Sequence, residues 1–203
     1  MQRVAVVGSP GSGKTTFATA LARRLDVLHV ELDAIFHQPG WTPLPEPEFR
    51  RQVGARAAEA GWVFDGNYAA VRDLVWERAD TIIWLDLRRS VVMPRVVRRT
   101  IRRTITREEL WNGNREPWSN LWSLDRERSI IAWSWKEHPR YRASYAAAMA
   151  DPAHAHLEFV RLGSPRSARR FLAAGDRAGW TRPPDSCRDT SNFGDPLTPG
   201  STP

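Results

Sequence analysis

Gly8-Ser9-Pro10-Gly11-Ser12-Gly13-Lys14-Thr15, followed by Thr16, is the stretch that decides how this chain is read. It fits G-x-x-x-x-G-K-[ST] at every fixed position. An apolar, β-branched run from Arg3 to Val7 precedes it, as a buried parallel strand would. A helical pattern from Thr15 to Leu25 follows, with Phe17, Leu21 and Leu25 at i, i+4 and i+8. Glycines at these places let backbone N–H groups curl around phosphates. The helix N-terminus behind them adds partial positive charge. Lys14 is placed to reach the β- and γ-phosphates, and the Thr15 hydroxyl to ligate Mg²⁺. A chance glycine-rich turn is the alternative, and the strand before and helix after argue against it. The candidate phosphate-binding set is therefore Gly8 through Thr16, and the ligands it implies are ATP and Mg²⁺.

Beyond the loop, strands and helices alternate. Val27 to Val30 reads as a second strand, Trp62 to Phe64 as a third, Thr81 to Leu85 as a fourth and Leu157 to Leu162 as a fifth. Helices are expected over Glu48 to Ala60, Ala70 to Arg78, Ser90 to about Ile105 and Pro165 to Ala174. Ser90 is the expected N-cap of its helix, with Pro94 in the first turn. A long helical region from Leu121 to Met149 should break near His138-Pro139. Pro39, Gly40, Pro43, Pro45 and Pro47 mark a loop, and the tryptophan-bearing stretch 106–120 reads as a lid. Alternation of this kind predicts an α/β fold with a mostly parallel sheet covered by helices on both faces. Residues 1–175 form the expected domain, with an acceptor-binding region at about 33–72 and a lid at about 104–120. Residues 176–203, rich in Pro, Ser, Thr, Gly and Asp, read as a disordered tail.

Acidic residues stand at the strand ends, where open α/β sheets bind ligands. Glu31 and Asp33 follow strand two and Asp65 follows strand three. A carboxylate there can hold magnesium or accept a proton from an attacking hydroxyl. Each would also suit a helix cap or a turn. Asp65 has the stronger claim, because Asp-Gly directly after an apolar strand is where a Walker B acid belongs. Asp86 is expected to cap the Ser90 helix. Arg95, Arg98, Arg99, Arg102 and Arg103 share one side of that helix by spacing, with Val92, Val96, Val97, Ile101 and Ile105 on the other. A solvated basic face is one reading. The other is a lid that brings positive charge to a transferring phosphoryl group. Arg115, in Asn112-Gly113-Asn114-Arg115, is a further candidate for phosphate, as are Arg126 and Arg128. The five histidines show no metal-ligand spacing and read as structural or surface residues.

Composition narrows the class. The chain has 203 residues, 26% charged and 41% hydrophobic, as a globular domain does. No apolar run reaches the roughly 20 residues of a membrane span, and the N-terminus does not read as a signal peptide. A cytoplasmic protein is expected, with no membrane partner. Cys187, the single cysteine, leaves no internal disulfide and no cysteine metal cluster. The net charge is +7, and Lys14 and Lys136 are the only lysines. Arginine's planar fork suits phosphate. The leading reading is an ATP-dependent kinase that moves the γ-phosphoryl group to a small-molecule or nucleotide acceptor. In it Lys14 and the arginine face serve the phosphoryl group, and a carboxylate at a strand end orients or deprotonates the acceptor hydroxyl. The charge also motivates a second reading, an ATP-dependent switch acting on a nucleic-acid or protein partner. The chain carries no recognised nucleic-acid-reading module in support of it.

The pieces GSPGSGKTT, ELDAIFHQPGW, WVFDGNY, ADTIIWLD, the arginine helix and LWNGNREPW resemble the adenylate-kinase-like P-loop kinases. They are most similar to the bacterial branch labelled DNA topology modulation proteins. Together they cover about residues 1–172. The resemblance implies a five-stranded parallel sheet in the order 2-3-1-4-5. It makes Asp65 the Walker B acid and puts Arg95 and Arg99 where relatives contact the ATP base and phosphates. The ELD segment is similar to the D-x-D of shikimate kinases. This implies a magnesium role for Glu31 and an acceptor role for Asp33. The arginine that nucleoside monophosphate kinases carry after the DG turn is absent from its usual place, and Arg72 stands nearby.

Overall fold

The computed structural model describes residues 1–118 and 129–178, with the side chains of 176–178 excepted. Seven strands appear among them: β1 (Arg3–Gly8), β2 (Leu28–Glu31), β3 (His37–Gln38), β4 (Thr42–Pro43), β5 (Trp62–Asp65), β6 (Thr81–Leu85) and β7 (Glu158–Leu162). The helices are α1 (Lys14–Leu25), α2 (Leu32–Phe36), α3 (Glu46–Ala57), α4 (Arg72–Arg78), α5 (Arg89–Thr106), α6 (Ile130–Ala150) and α7 (Pro165–Ala178). Five strands form one sheet in the order β2-β5-β1-β6-β7. Every pairing in it is parallel. Counted within that sheet alone, the order is 2-3-1-4-5. β3 and β4 form a separate antiparallel ribbon in the stretch expected to be plain loop.

Alternation along the strands splits the core in two, as a pleat with period two requires. Ala5, Val7, Val30, Trp62, Phe64, Ile82 and Trp84 face α3, α4 and α6. Val4, Val6, Val63, Ile83, Leu85 and Leu162 face α1 and α7. The sheet is thus buried on both faces, and the carboxyl ends of β1, β2 and β5 meet at one edge of the molecule.

The structure corrects several expectations. Helix α5 begins at Arg89, with Arg88 rather than Ser90 at the N-cap, so Pro94 falls in the second turn. Asp86 does not cap it. The Asp86 carboxylate is buried between two arginines, 2.7 Å from Arg142 Nε and 2.9 Å from Arg161 Nε, which ties β6 to α6 and β7. These two guanidiniums hold its carboxyl below the usual range against the opposing cost of burial. Helix α6 runs unbroken through Pro139. Proline has no N–H for the carbonyl one turn back, and here Arg89 Nη2 donates to that Trp135 carbonyl at 2.7 Å. The Arg89 guanidinium also stacks 4.3 Å from the Trp135 ring centroid. The part of the long helical region expected before Ser129 lies outside the described residues. So does the tail from 179 onward, while α7 itself continues to Ala178.

The arginine helix is not divided as the spacing suggests. Its buried stripe is Val92, Val96, Thr100 and Thr104. Ile101 and Ile105 are exposed instead, at 42% and 62%. Arg99 and Arg103 flank the buried stripe, half-buried, while Arg95, Arg98 and Arg102 are exposed. The five arginines therefore point in two directions. Two turn in toward the sheet edge and three lie at the surface.

Candidate phosphate-transfer site

The Gly8–Thr15 loop joins β1 to α1 at the centre of the sheet. Gly8, Gly11 and Gly13 all have positive φ, 148°, 76° and 89°. Gly11 has a second reason to lack a side chain. A Cβ there would lie 2.6 Å from the Val92 carbonyl oxygen and 2.7 Å from Val96 Cγ2, so the loop is backed directly by α5. Gly13 caps α1 without a side-chain hydrogen bond, and the first turn holds no acid. Its N–H groups are therefore available to an anion. Lys14 Nζ donates to the carbonyls of Gly8 and Ser9 at 3.0 and 3.3 Å. Burial lowers the Lys14 pKa, with Asp65, Asp33 and Glu31 opposing and Arg99 adding to the effect. Three carboxylates and one guanidinium thus act on this single ammonium.

Asp65 ends β5 with only 3% of its surface exposed. Burial pushes its carboxyl up to about 6, against the pull of Lys14 and of a hydrogen bond from Thr15, and Glu31 and Asp33 push the same way as burial. The Thr15 hydroxyl also reaches Glu31 Oε1 at 3.4 Å. Thr15, Asp65 and Glu31 therefore converge, as the sequence suggested for the metal. The set suits a hard, oxygen-liganded ion such as Mg²⁺, because a divalent charge relieves a carboxylate that is costly to ionise where it stands. Among the described residues no three His, Cys, Asp or Glu side chains gather into a metal cluster of their own.

Asp33, in the first turn of α2, faces the same space from the other side. Tyr68 donates its hydroxyl to Asp33 Oδ1 at 2.6 Å, and His37 Nε2 lies 3.3 Å from the Tyr68 oxygen. Since the phenol donates to the carboxylate, the ring nitrogen is assigned as donor to the phenol. Burial, then Asp33, drives the Tyr68 pKa far up, so the phenol keeps its proton. Burial also lowers the His37 pKa. His37, read from sequence only as structural or surface, therefore belongs to the Asp33–Tyr68 cluster.

Among the remaining candidates, Arg99 is drawn in. Its pKa is lowered first by burial and then by Arg103, with Glu116 and Asp33 opposing. Arg95 lies exposed one turn earlier on α5. Arg115 is paired with Glu109, 3.8 Å away across the lid hairpin. Thr16 is exposed at the start of α1. Arg72 stacks on Trp76 and Tyr145, 5.3 and 5.7 Å from their ring centroids. Arg126 and Arg128 lie outside the described residues.

Two groups had no role assigned from sequence. Asn67 donates from Nδ2 to the Gly8 carbonyl at 2.6 Å and accepts the Gly8 N–H on Oδ1 at 3.2 Å. Tyr145 donates to that same Oδ1 at 2.9 Å. The first glycine of the loop is therefore pinned by a carboxamide that α6 holds in turn. The second group is Asn112 and Asn114 of the lid. Asn112 Nδ2 donates to the carbonyls of Ala34 and His37 at 3.1 and 2.6 Å. Asn114 donates to the Gln38 carbonyl at 2.9 Å and accepts the Trp41 N–H at 2.8 Å. Trp111 stacks on His37 at 5.8 Å between centroids. The lid is thus docked on residues 34–41. The only sequence signal for this was Asn-Gly in one segment and Pro-Gly-Trp in the other.

A family model described as the AAA domain matches residues 4–112, from β1 through the loop, both carboxylate strands and α5 into the lid. The chain belongs to the AAA-domain family. Two solved structures are similar to this AAA domain. One is a shikimate kinase from Acinetobacter baumannii in complex with shikimate, 15% identical, covering 86% of this chain and 90% of that chain at a TM-score of 0.49. The other is a gluconokinase from Sinorhizobium meliloti 1021, 21% identical, covering 85% and 92% respectively at a TM-score of 0.45. No curated protein matches this sequence. Among the described residues of the AAA domain, no helix is long and apolar enough to cross a membrane.

Proposed function

We propose that this AAA domain is a phosphotransferase that binds ATP with Mg²⁺ and transfers the γ-phosphoryl group to a hydroxyl of a small acceptor. The observation that carries the reading is that Lys14, seated on the Gly8 and Ser9 carbonyls, lies within electrostatic reach of Asp65, of the Tyr68-bonded Asp33 and of Arg99 on α5. Hydrolysis alone has no need of a buried phenol holding a second carboxylate in place. The Gly8–Thr15 backbone and the α1 N-terminus bind the phosphates, and Lys14 swings from the Gly8 and Ser9 carbonyls to their oxygens. Thr15 and Asp65 hold Mg²⁺, with Glu31 beside them, and the ion when bound neutralises charge on the phosphate oxygens. Arg99 meets the charge that develops on the transferred group. Tyr68 fixes Asp33 so that its other oxygen can accept the acceptor's proton. Residues 33–72 supply the acceptor side. Arg95 and Arg115, the other arginines of the sequence reading, supply further positive charge at the rim. The branch that the sequence resembles, the DNA topology modulation proteins, is compatible with this chemistry without requiring DNA.

An ADP-release screen with MgATP against nucleotides, nucleosides and small hydroxy compounds tests the proposal. Lys14→Ala should abolish MgATP binding. Asp33→Asn should keep binding and lose acceptor-stimulated ADP release. Unchanged MgATP affinity in Lys14→Ala would end the proposal.

A further inference from the structure

The lid hairpin touches both sides of the site. Its acceptor end carries the Asn112 and Asn114 bonds to residues 34–41. At its donor end, Glu116 is buried to 6% exposure and lies 3.6 Å from Arg103 Nη1. Glu108 lies 3.6 Å from Arg103 Nε and 2.8 Å from Arg102 Nη2. Arg103 stands one turn beyond Arg99 on the inner side of α5, and its charge disfavours the Arg99 cation while Glu116 favours it. Arg99 Nε, Arg103 Nε and Glu116 Oε2 are buried without a hydrogen-bond partner among the described residues. Arg103 stands between Glu108 and the buried Glu116 at ion-pair distance from each, Arg99 lies beside it within their electrostatic reach, and Arg99, Arg103 and Glu116 are each incompletely bonded. Such an arrangement is costly as it stands, and it gains when an anion takes one of the guanidiniums.

We infer that Asn114 and Glu116 are positioning residues through which nucleotide on the donor side tightens the acceptor loop. The inference rests on the MgATP-binding reading above. A polyphosphate draws Arg99 toward Lys14 and away from Arg103. Relieved of its like-charged neighbour, Arg103 closes on Glu116 and completes their bonding. Glu116 is two residues from Asn114, whose carboxamide grips the Gln38 carbonyl and the Trp41 N–H. Fixing one end of the hairpin therefore fixes the other. The segment that presents Asp33 and His37, already bonded to the hairpin, is held more tightly when a triphosphate is in place, so acceptor and donor are brought together by the same strap.

Hydrogen exchange with the magnesium complex of adenylyl imidodiphosphate, a non-hydrolysable ATP analogue, tests this without an acceptor. In the wild-type chain, the nucleotide should slow exchange across residues 34–44 by about tenfold, within the range for coupled sites. In Glu116→Gln and Asn114→Ala the P-loop peptide should still be protected, and protection across 34–44 should change less than about twofold, near the lower limit of measurable coupling. Arg103→Lys should keep the coupling and Arg103→Gln lose it, with thermal midpoints confirming that each variant is folded. Should Asn114→Ala fail to fold, Glu116→Gln and the Arg103 pair carry the test. Protection of 34–44 that is equal in wild type and Glu116→Gln overturns the inference. Nucleotide that protects the P-loop but not 34–44 in wild type overturns it too. Failure to bind the nucleotide at all removes the phosphotransferase reading, and this inference with it.

Discussion

Replacing Asn67 by alanine removes a side chain that makes no contribution to the apolar core, yet the loss should be large. The carboxamide bonds the Gly8 carbonyl at 2.6 Å, the Gly8 N–H at 3.2 Å and the Tyr145 hydroxyl at 2.9 Å. Tyr145 is 1% exposed, so its hydroxyl cannot turn to bulk water. A buried donor left unsatisfied costs about 1–3 kcal/mol. Two such donors, the Gly8 N–H and the Tyr145 hydroxyl, give about 3 kcal/mol with water reaching the half-buried Asn67 position. For a domain of this size that lowers the thermal midpoint by about 6–12 °C. Urea unfolding followed by tryptophan fluorescence measures it. Tyr145→Phe should cost about 1 kcal/mol, since it removes one hydrogen bond and leaves Oδ1 bonded to Gly8. In a Tyr145→Phe background, Asn67→Ala should then cost about 1 kcal/mol less than alone, because the orphaned hydroxyl is gone. A cost below about 1 kcal/mol for Asn67→Ala, or strict additivity of the pair, would refute the pinning argument.

The Asp65 carboxyl gives a pH prediction. Its folded-state pKa, about 6, is above the ordinary 3.8, so its contribution to stability is fully present below about pH 4 and is lost as pH rises through about 6. In the absence of metal, Asp65→Asn should therefore match wild type near pH 4. It should exceed it at pH 7.5 by up to about 3 kcal/mol, at 1.36 kcal/mol per unit. Urea unfolding across that range checks it, and a gap that fails to widen with pH contradicts it. Arg89→Ala should cost about 1–2 kcal/mol by orphaning the Trp135 carbonyl and removing the ring contact. Pro139→Ala, which restores an N–H beneath that carbonyl, should recover part of the loss. A double-mutant cycle by chemical denaturation measures the recovery.

Much of the fold was legible because its signals are local. The Gly8–Thr15 spacing, the β-branched runs and the Asp-Gly after Phe64 each declare themselves within a few residues. The sheet order followed from the resemblance, and the nearness of Asp65 and Glu31 to Thr15 from their place at strand ends. What escaped depends on partners distant in sequence. Asp86 at the start of a helix reads as a cap, and nothing nearby announces Arg142 or Arg161. Pro139 reads as a break until Arg89 supplies the missing donor. Helix α5 carries two apolar stripes, and sequence favoured the one with larger side chains. The structure buries Val92 and Val96, as read from sequence, where Gly11 approaches closely, and continues the stripe through Thr100 and Thr104 instead of Ile101 and Ile105. Asn67, Asn112 and Asn114 are polar residues in loops, which most often mark turns. Their roles became visible only when Gly8 and residues 34–41 were placed opposite them.

The contact between Gly11 and α5 also sets the kinematics of the site. With Val92 and Val96 seated against a position too tight even for a methyl group, the phosphate loop and the root of the arginine helix move as one rigid body. Rocking α5 cannot bring Arg99 nearer to Lys14. The available degrees of freedom are the arginine side chains themselves and the joint at Arg107, where the helix ends at φ 51°. Any movement of the hairpin against this frame would therefore be a rotation about its own base at Arg107.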